Sequence, residues 1–194
     1  MNELKQKDLE SIVKIHLETL SEDLLPQLGE KFLIKFYEYI NNSEFEEIFY
    51  SKDKDKLLAT CIISYDPNTL LSRVLKKTLI NFIYSFTVNI LTNKKLFISV
   101  FKIFFNKTNF ISKSPEITYI FTDPKLKGKG IGKEIILKVE NSLKDKNINT
   151  YYVKTINGKE NKAISFYLKN GFEKFEKFNY AGNSYLYLKK CLNV

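Results

Sequence analysis

Residues 127–133 read Lys-Gly-Lys-Gly-Ile-Gly-Lys, and no other stretch of the chain restricts its fold as tightly. A predicted strand, 116–122, enters this segment. A predicted amphipathic helix leaves it, with Ile131, Ile135, Ile136, Val139 and Leu143 on one side. Three glycines at alternate positions let the main chain approach a ligand closely and turn amide N–H groups inward. The helix start adds unpaired N–H groups and the positive end of a dipole. Lys127, Lys129 and Lys133 add charge, so the segment suits a phosphate or pyrophosphate. Two phosphate-binding patterns fail here. A P-loop needs glycine at 127 and Ser or Thr at 134, and the chain has Lys127 and Glu134. The dinucleotide pattern G-x-G-x-x-G fails because neither Gly128 nor Gly130 has its third glycine. A loop seating the pyrophosphate of coenzyme A remains, beside a glycine-rich turn with no ligand.

The flanking pattern continues the alternation. Strand 116–122 and helix 131–144 are followed by strand 150–155, helix 160–169 closed by Asn170-Gly171, and strands 172–178 and 184–190 joined by a turn at 181–183. Upstream, Leu9, Ile12, Val13, His16, Leu17 and Leu20 fall at helical spacing behind Asp8 as N-cap. A second helix carries Leu28, Phe32, Phe36 and Ile40. Strands are expected at 47–51 and 57–65. The apolar block 70–111 is cut by lysines at 76–77, 94–95 and 107 and reads as two or three helices. Its longest uncharged run, 78–93, is broken by polar residues and is short of the about 20 apolar residues of a spanning helix. The expected fold class is α/β, a mixed sheet in a single domain, 1–194, with N-terminal helices at 1–45 and a helical insertion at 68–112.

Composition removes other classes. At 44% hydrophobic and 27% charged the chain builds a core rather than staying disordered. Two cysteines and one histidine make neither a disulfide framework nor a zinc site, so no metal is expected. Charges scattered through the first twenty residues are unlike a signal peptide, and a cytoplasmic location is expected. The net charge is +9, and Arg73 is the single arginine among 31 basic residues. That bias suits an A/T-rich coding sequence. The lysines are spread rather than gathered in one run, so no nucleic acid partner and no stable membrane insertion are expected. A homodimer is left open.

Residues 116–132, EITYIFTDPKLKGKGIG, resemble the acetyl-CoA-binding motif of the GNAT (GCN5-related N-acetyltransferase) superfamily, a strand, a proline and then Q/R-x-x-G-x-G/A. Residues 163–172, AISFYLKNGF, resemble its second signature, a helix carrying a tyrosine followed by a glycine and an aromatic. Together they cover a CoA-binding core at 116–178. Three features depart from the pattern: Lys127 replaces the usual Gln or Arg, Glu160 stands where Asn is common with Asn161 beside it, and the insertion is long.

The resemblance implies a GNAT-like acyl-CoA N-acyltransferase fold with acetyl-CoA as co-substrate. It implies direct transfer of an acetyl group to a primary amine of a small molecule in a ternary complex. Ile120, Phe121 and Thr122 would hold the pantetheine arm. The amides of Gly128, Lys129, Gly130, Ile131 and Gly132, with Lys127 and Lys133, would hold the pyrophosphate. Asn161 is a further cofactor contact, Tyr167 the proton donor to the departing thiolate, and Glu116 the base. Alternation places Glu116 on one face with Thr118, Ile120 and Thr122. His16 is a lesser candidate base, and Cys61 a core residue. Residues 25–40 are similar to the start of GNAT proteins encoded among bacterial polysaccharide genes, which makes an amino-sugar one candidate acceptor. The competing readings are a non-catalytic CoA-binding relative and a basic module for nucleic acid or anionic membrane surfaces.

Overall fold

The computed structural model describes residues 4–90, 114–180 and 182–193. Helices α1 (Gln6–Thr19), α2 (Leu24–Gln27) and α3 (Glu30–Asn41) precede strands β1 (Glu46–Asp53) and β2 (Lys56–Ser64), and α4 (Pro67–Ile90) follows. Then come β3 (Glu116–Thr122), a 3-10 turn at Pro124–Leu126, α5 (Ile131–Asp145), β4 (Thr150–Ile156), α6 (Lys162–Lys169), β5 (Glu173–Tyr180) and β6 (Asn183–Cys191). The six strands form one mixed sheet ordered β1-β2-β3-β4-β6-β5. Among the described residues only the β3–β4 pair is parallel, as a strand–helix crossover through α5 requires.

The alternation of the strands sorts their side chains into two cores. Ile12 and Val13 of α1 and Phe32, Leu33, Phe36 and Tyr37 of α3 pack on one face, with Ile62 and Phe121 from the sheet. Ile135, Ile136, Val139 and Leu143 of α5 and Tyr167 of α6 pack on the other, with Cys61, Ile63, Ile117, Tyr151, Val153, Leu186 and Leu188. Each aliphatic side chain so buried is worth roughly 1.5–3 kcal/mol, and this decides the register of every strand.

The expected elements form, with local differences. Asp8 does not cap α1, which starts at Gln6 behind Lys5. Asp8 lies in the first turn and pairs with Lys52 at 2.5 Å. The β1–β2 turn has two residues, with Lys54 at φ 54°. The β5–β6 pairing runs to Tyr180 opposite Asn183, and residue 181 lies outside the described ones. Helical geometry breaks at Thr78 (φ −115°, ψ 20°), just beyond Lys76-Lys77. The buried Thr78 hydroxyl donates to the Val74 carbonyl at 2.8 Å, an i−4 bond that bends helices. The remainder of the expected insertion, 91–112, lies outside the described residues. Among the described residues no helix is long and apolar enough to cross a membrane.

The start of α4 is bolted to the sheet by Arg73. Its guanidinium pairs with the buried Glu46, with Asp66 at 2.9 Å and with the Asp66 carbonyl at 3.1 Å, while Nε donates to Tyr39 Oη at 3.2 Å. The Phe45 ring lies against it at 4.6 Å.

Candidate active site

The sheet forks between β3 and β4. Glu116 pairs with Tyr152 and Ile117 with Val153, and there the ladder stops. Both strands run on, and β3 stays bonded to β2 as far as Thr122. The cause is a bulge at Thr118: Ile63 opposes Ile117 and Ile62 opposes Tyr119, leaving one extra residue on β3 that bends it away from β4. Residues 118–122 therefore present an edge toward β4 with no strand on it. In a parallel sheet such an opening lies at the carboxyl ends of the strands, where ligands bind.

The glycine loop follows the carboxyl end of β3, with Gly132 beside Thr122. Gly128 and Gly130 both hold φ +82°, and a Cβ at either would meet nothing within 4 Å. The N–H groups of Gly128, Gly130, Ile131 and Gly132 have no backbone partner among the described residues. They cluster where Gly130, in the left-handed region, caps α5. Four free donors, a helix N-terminus and the exposed Lys127, Lys129 and Lys133 make a segment suited to an anion. Gly132 has a second duty. A Cβ there would come within 3.0 Å of the Phe166 ring, so it lets α5 and α6 close together.

The bulge also re-aims the side chains of β3. Ile120 packs with the α5–α6 core, and Thr122 Cγ2 lies 4.0 Å from a Cβ on Gly132. Phe121 and Tyr119 turn to the α1–α3 side, each with its ring centroid 4.9 Å from that of His16. Glu116 faces that side too, against Lys154 Nζ at 3.1 Å and the Tyr187 hydroxyl. It does not share a face with Ile120 and Thr122 as unbroken alternation implied. Its side chain is 2% exposed, and Oε1 has Lys154 as an ionic neighbour but no well-directed hydrogen bond.

Around Glu116 stands a polar, aromatic wall. Tyr185 and Tyr187 of β6 stack on Phe178 of β5 at 5.5 and 4.8 Å. Tyr180 lies 6.4 Å from Tyr185. Burial raises the pKa of the Tyr119 phenol, with Asp23 and Tyr185 close enough to add to the rise. Burial likewise raises that of the Asp23 carboxyl. Burial and the Glu116 carboxylate do the same to Tyr187. Sequence reading missed Asp23, Lys154, Tyr185 and Tyr187. The period-two pairs Tyr152/Lys154 and Tyr185/Tyr187 mark one face each, but the β4–β6 register that joins them is not written in either strand alone.

Tyr167 lies on the opposite face. It is 5% exposed, in one cluster with Ile117 and Val153, the last paired residues of the fork. Its ring meets Phe166 and Phe172, each at 5.3 Å. Burial, with Cys61 nearby, raises its pKa well above the ordinary phenol value. Cys61 is fully buried and its thiol is pushed up by burial, the behaviour of a core residue. Asn161 caps α6: Oδ1 accepts from the Ala163 N–H at 3.0 Å, while Nδ2 donates to Thr155 Oγ1 at 2.8 Å and the Ile156 carbonyl at 2.6 Å. His16 is fully buried, with Nδ1 2.7 Å from Tyr37 Oη and its pKa lowered to about 4 by burial. Cavities of about 370 and 410 Å³ lie at the β1 edge, away from the fork. Among the described residues no cluster could hold a metal ion.

The profile of the Acetyltransferase (GNAT) family matches residues 17–172, a span that takes in fork, glycine loop and Tyr167. The chain belongs to this family of acetyltransferases. No curated protein matches the sequence. Solved GNAT structures share the fold at low identity. The ribosomal-protein-S18-alanine N-acetyltransferase of Escherichia coli is 12% identical with a TM-score of 0.60, covering 100% of this chain and 93% of its own. The PaiA N-acetyltransferase of Thermoplasma acidophilum, solved with coenzyme A, is 14% identical with a TM-score of 0.55, covering 98% and 96%. Another acetyltransferase reaches a TM-score of 0.65 at 12% identity, covering 99% and 98%. The expected GNAT mixed-sheet fold is therefore the one observed.

Proposed function

We propose that this GNAT protein moves the acetyl group of acetyl-CoA directly to a primary amine of a small molecule, both substrates being bound at once. One observation carries the reading. Four N–H groups at 128–132 without a backbone acceptor follow a β3 strand whose edge toward β4 is bare beyond Ile117, and a Cβ at Gly128 or Gly130 would meet open space. A diphosphate answers the amides, with Lys127, Lys129 and Lys133 supplying charge. An extended amide-bearing arm answers the edge at Ile120, Phe121 and Thr122. The mouth is thus fixed at one end and the reacting sulfur falls toward the crotch at Ile117 and Val153. Asn161 serves there through its cap, which ties α6 to β4.

The crotch then has different chemistry above and below. On the α1–α3 side Glu116 takes a proton from the incoming ammonium, an uncharged amine being the nucleophile. On the α5–α6 side Tyr167 stays protonated because burial disfavours its anion. It donates a hydrogen bond to the thiolate as the C–S bond breaks. A tetrahedral centre in the gap is approached from one face and relieved from the other. The wall of Asp23, Tyr119, Tyr185 and Tyr187 offers a carboxyl group and aromatic faces, which suit a cationic amine.

The test is thiol release from acetyl-CoA with a panel of amines, amino-sugars included, each product checked by mass. Release with at least one amine is expected. Stabilisation by acetyl-CoA with no release from any amine would favour a non-catalytic CoA-binding relative. Salt-dependent binding to DNA or acidic vesicles, with no acetyl-CoA effect, would favour the basic module.

A further inference from the structure

We infer that Lys154 is itself an acetyl acceptor, a self-modification site built into the fork. The inference rests on the proposed acetyl-CoA site. Lys154 is the first β4 residue beyond the last β3–β4 pair, so it stands at the crotch where the gap opens. Its Nζ lies 3.1 Å from Oε1 of Glu116, the carboxylate that the proposed function makes the base. Glu116 is almost fully buried, whereas the Lys154 side chain keeps 46% of its exposure and so has room to swing. A primary alkylamine on a flexible stem beside a buried carboxylate is the arrangement the proposed acceptor must adopt. Lys154 occupies that seat permanently and at high effective concentration.

The step balances. The Lys154 ammonium passes a proton to Glu116. The freed Nζ attacks the thioester carbonyl, the N–C bond forms, and the C–S bond breaks. The nitrogen of the adduct gives up its second proton, which reaches the sulfur by way of the Tyr167 hydroxyl or a water, and coenzyme A leaves as the thiol. The products are Nζ-acetyl-lysine at 154 and free coenzyme A. The modified side chain has lost its charge and can no longer form an ion pair with Glu116. The carboxylate is then open to an external amine.

The experiment incubates the full chain with acetyl-CoA and no amine, then maps acetyl groups by peptide mass spectrometry. Lys154 is expected to fill to one acetyl per chain well before the exposed lysines at 127, 129 and 133. Its first-order rate constant should not change with protein concentration. Glu116→Gln should slow that labelling at least tenfold, and Lys154→Arg should leave no site of comparable rate. Acetyl groups spread evenly over surface lysines would overturn the inference, as would a Lys154 rate indifferent to Glu116→Gln. Acetyl transfer to added amines without acetyl-Lys154 defeats this inference alone. No transfer to any amine and none to Lys154 defeats the proposed function beneath it.

Discussion

His16 shows how one buried group ties stability to pH. Its ordinary pKa is about 6.5, and burial holds it near 4 in the folded chain. Above the higher value both states are neutral and stability is flat. Below it the unfolded chain takes up a proton that the folded one refuses, so stability falls as pH drops from 6.5 toward 4. At about 1.4 kcal/mol per pKa unit the loss attributable to His16 reaches about 3 kcal/mol by pH 4. Urea unfolding at pH 7 and pH 4 should show the wild type losing that much more than His16→Gln. Equal losses would mean that the ring is charged inside the fold. The same burial removes His16 from the list of bases, since no substrate reaches a side chain with no exposed surface. Tyr167 is the other residue whose environment sets its role. Tyr167→Phe should lower kcat about 10²-fold or more, the scale of a lost proton donor, with little change in acetyl-CoA affinity. An unaltered kcat would leave Tyr167 as a packing aromatic only.

At the scale of elements, the fork depends on one inserted residue, Thr118, and the position of α4 depends on Arg73. Arg73 meets Glu46, Asp66 and Tyr39 together, which a lysine cannot do. Arg73→Lys should cost about 2 kcal/mol, and Arg73→Ala about 3–5 kcal/mol, because a buried carboxylate at Glu46 loses its partner. Chemical denaturation measures both. A lysine variant as stable as the wild type would show that the fork of donors is idle. The lone arginine of a lysine-biased chain thus stands where geometry, not charge alone, is required. The elements themselves were legible: the loop at 127–133, the helices beside it and the order of strands follow from glycine spacing and apolar period. The bulge was not, because nothing in Thr-Tyr-Ile-Phe announces that one residue will be skipped in the β2 ladder. The face assigned to Glu116 was wrong for that reason, and its partners Lys154 and Tyr187 were invisible until β4 and β6 were aligned. Asn161 reads from the sequence as a cofactor contact within a helix starting at 160, and its role as the cap of α6, which takes up its side chain, is not legible there.

For the whole molecule, the sheet acts as a partition. Lysines give the chain its +9 charge, but the chemistry is organised by the gap between two strands and by which face each group takes. The base side carries carboxylates and phenols, and the donor side is the α5–α6 core. On the proposed reading the anion seat takes the cosubstrate and the α1–α3 face the acceptor. The most direct measurement is the calorimetric affinity for acetyl-CoA of wild type and Gly130→Val, the variant's fold being checked by circular dichroism. A valine there must adopt φ +82° and puts its methyls in the open space beside the loop. The wild type should bind, and the folded variant should bind at least a hundredfold more weakly. A folded variant with wild-type affinity would contradict the seat, and the enzymatic account built on it.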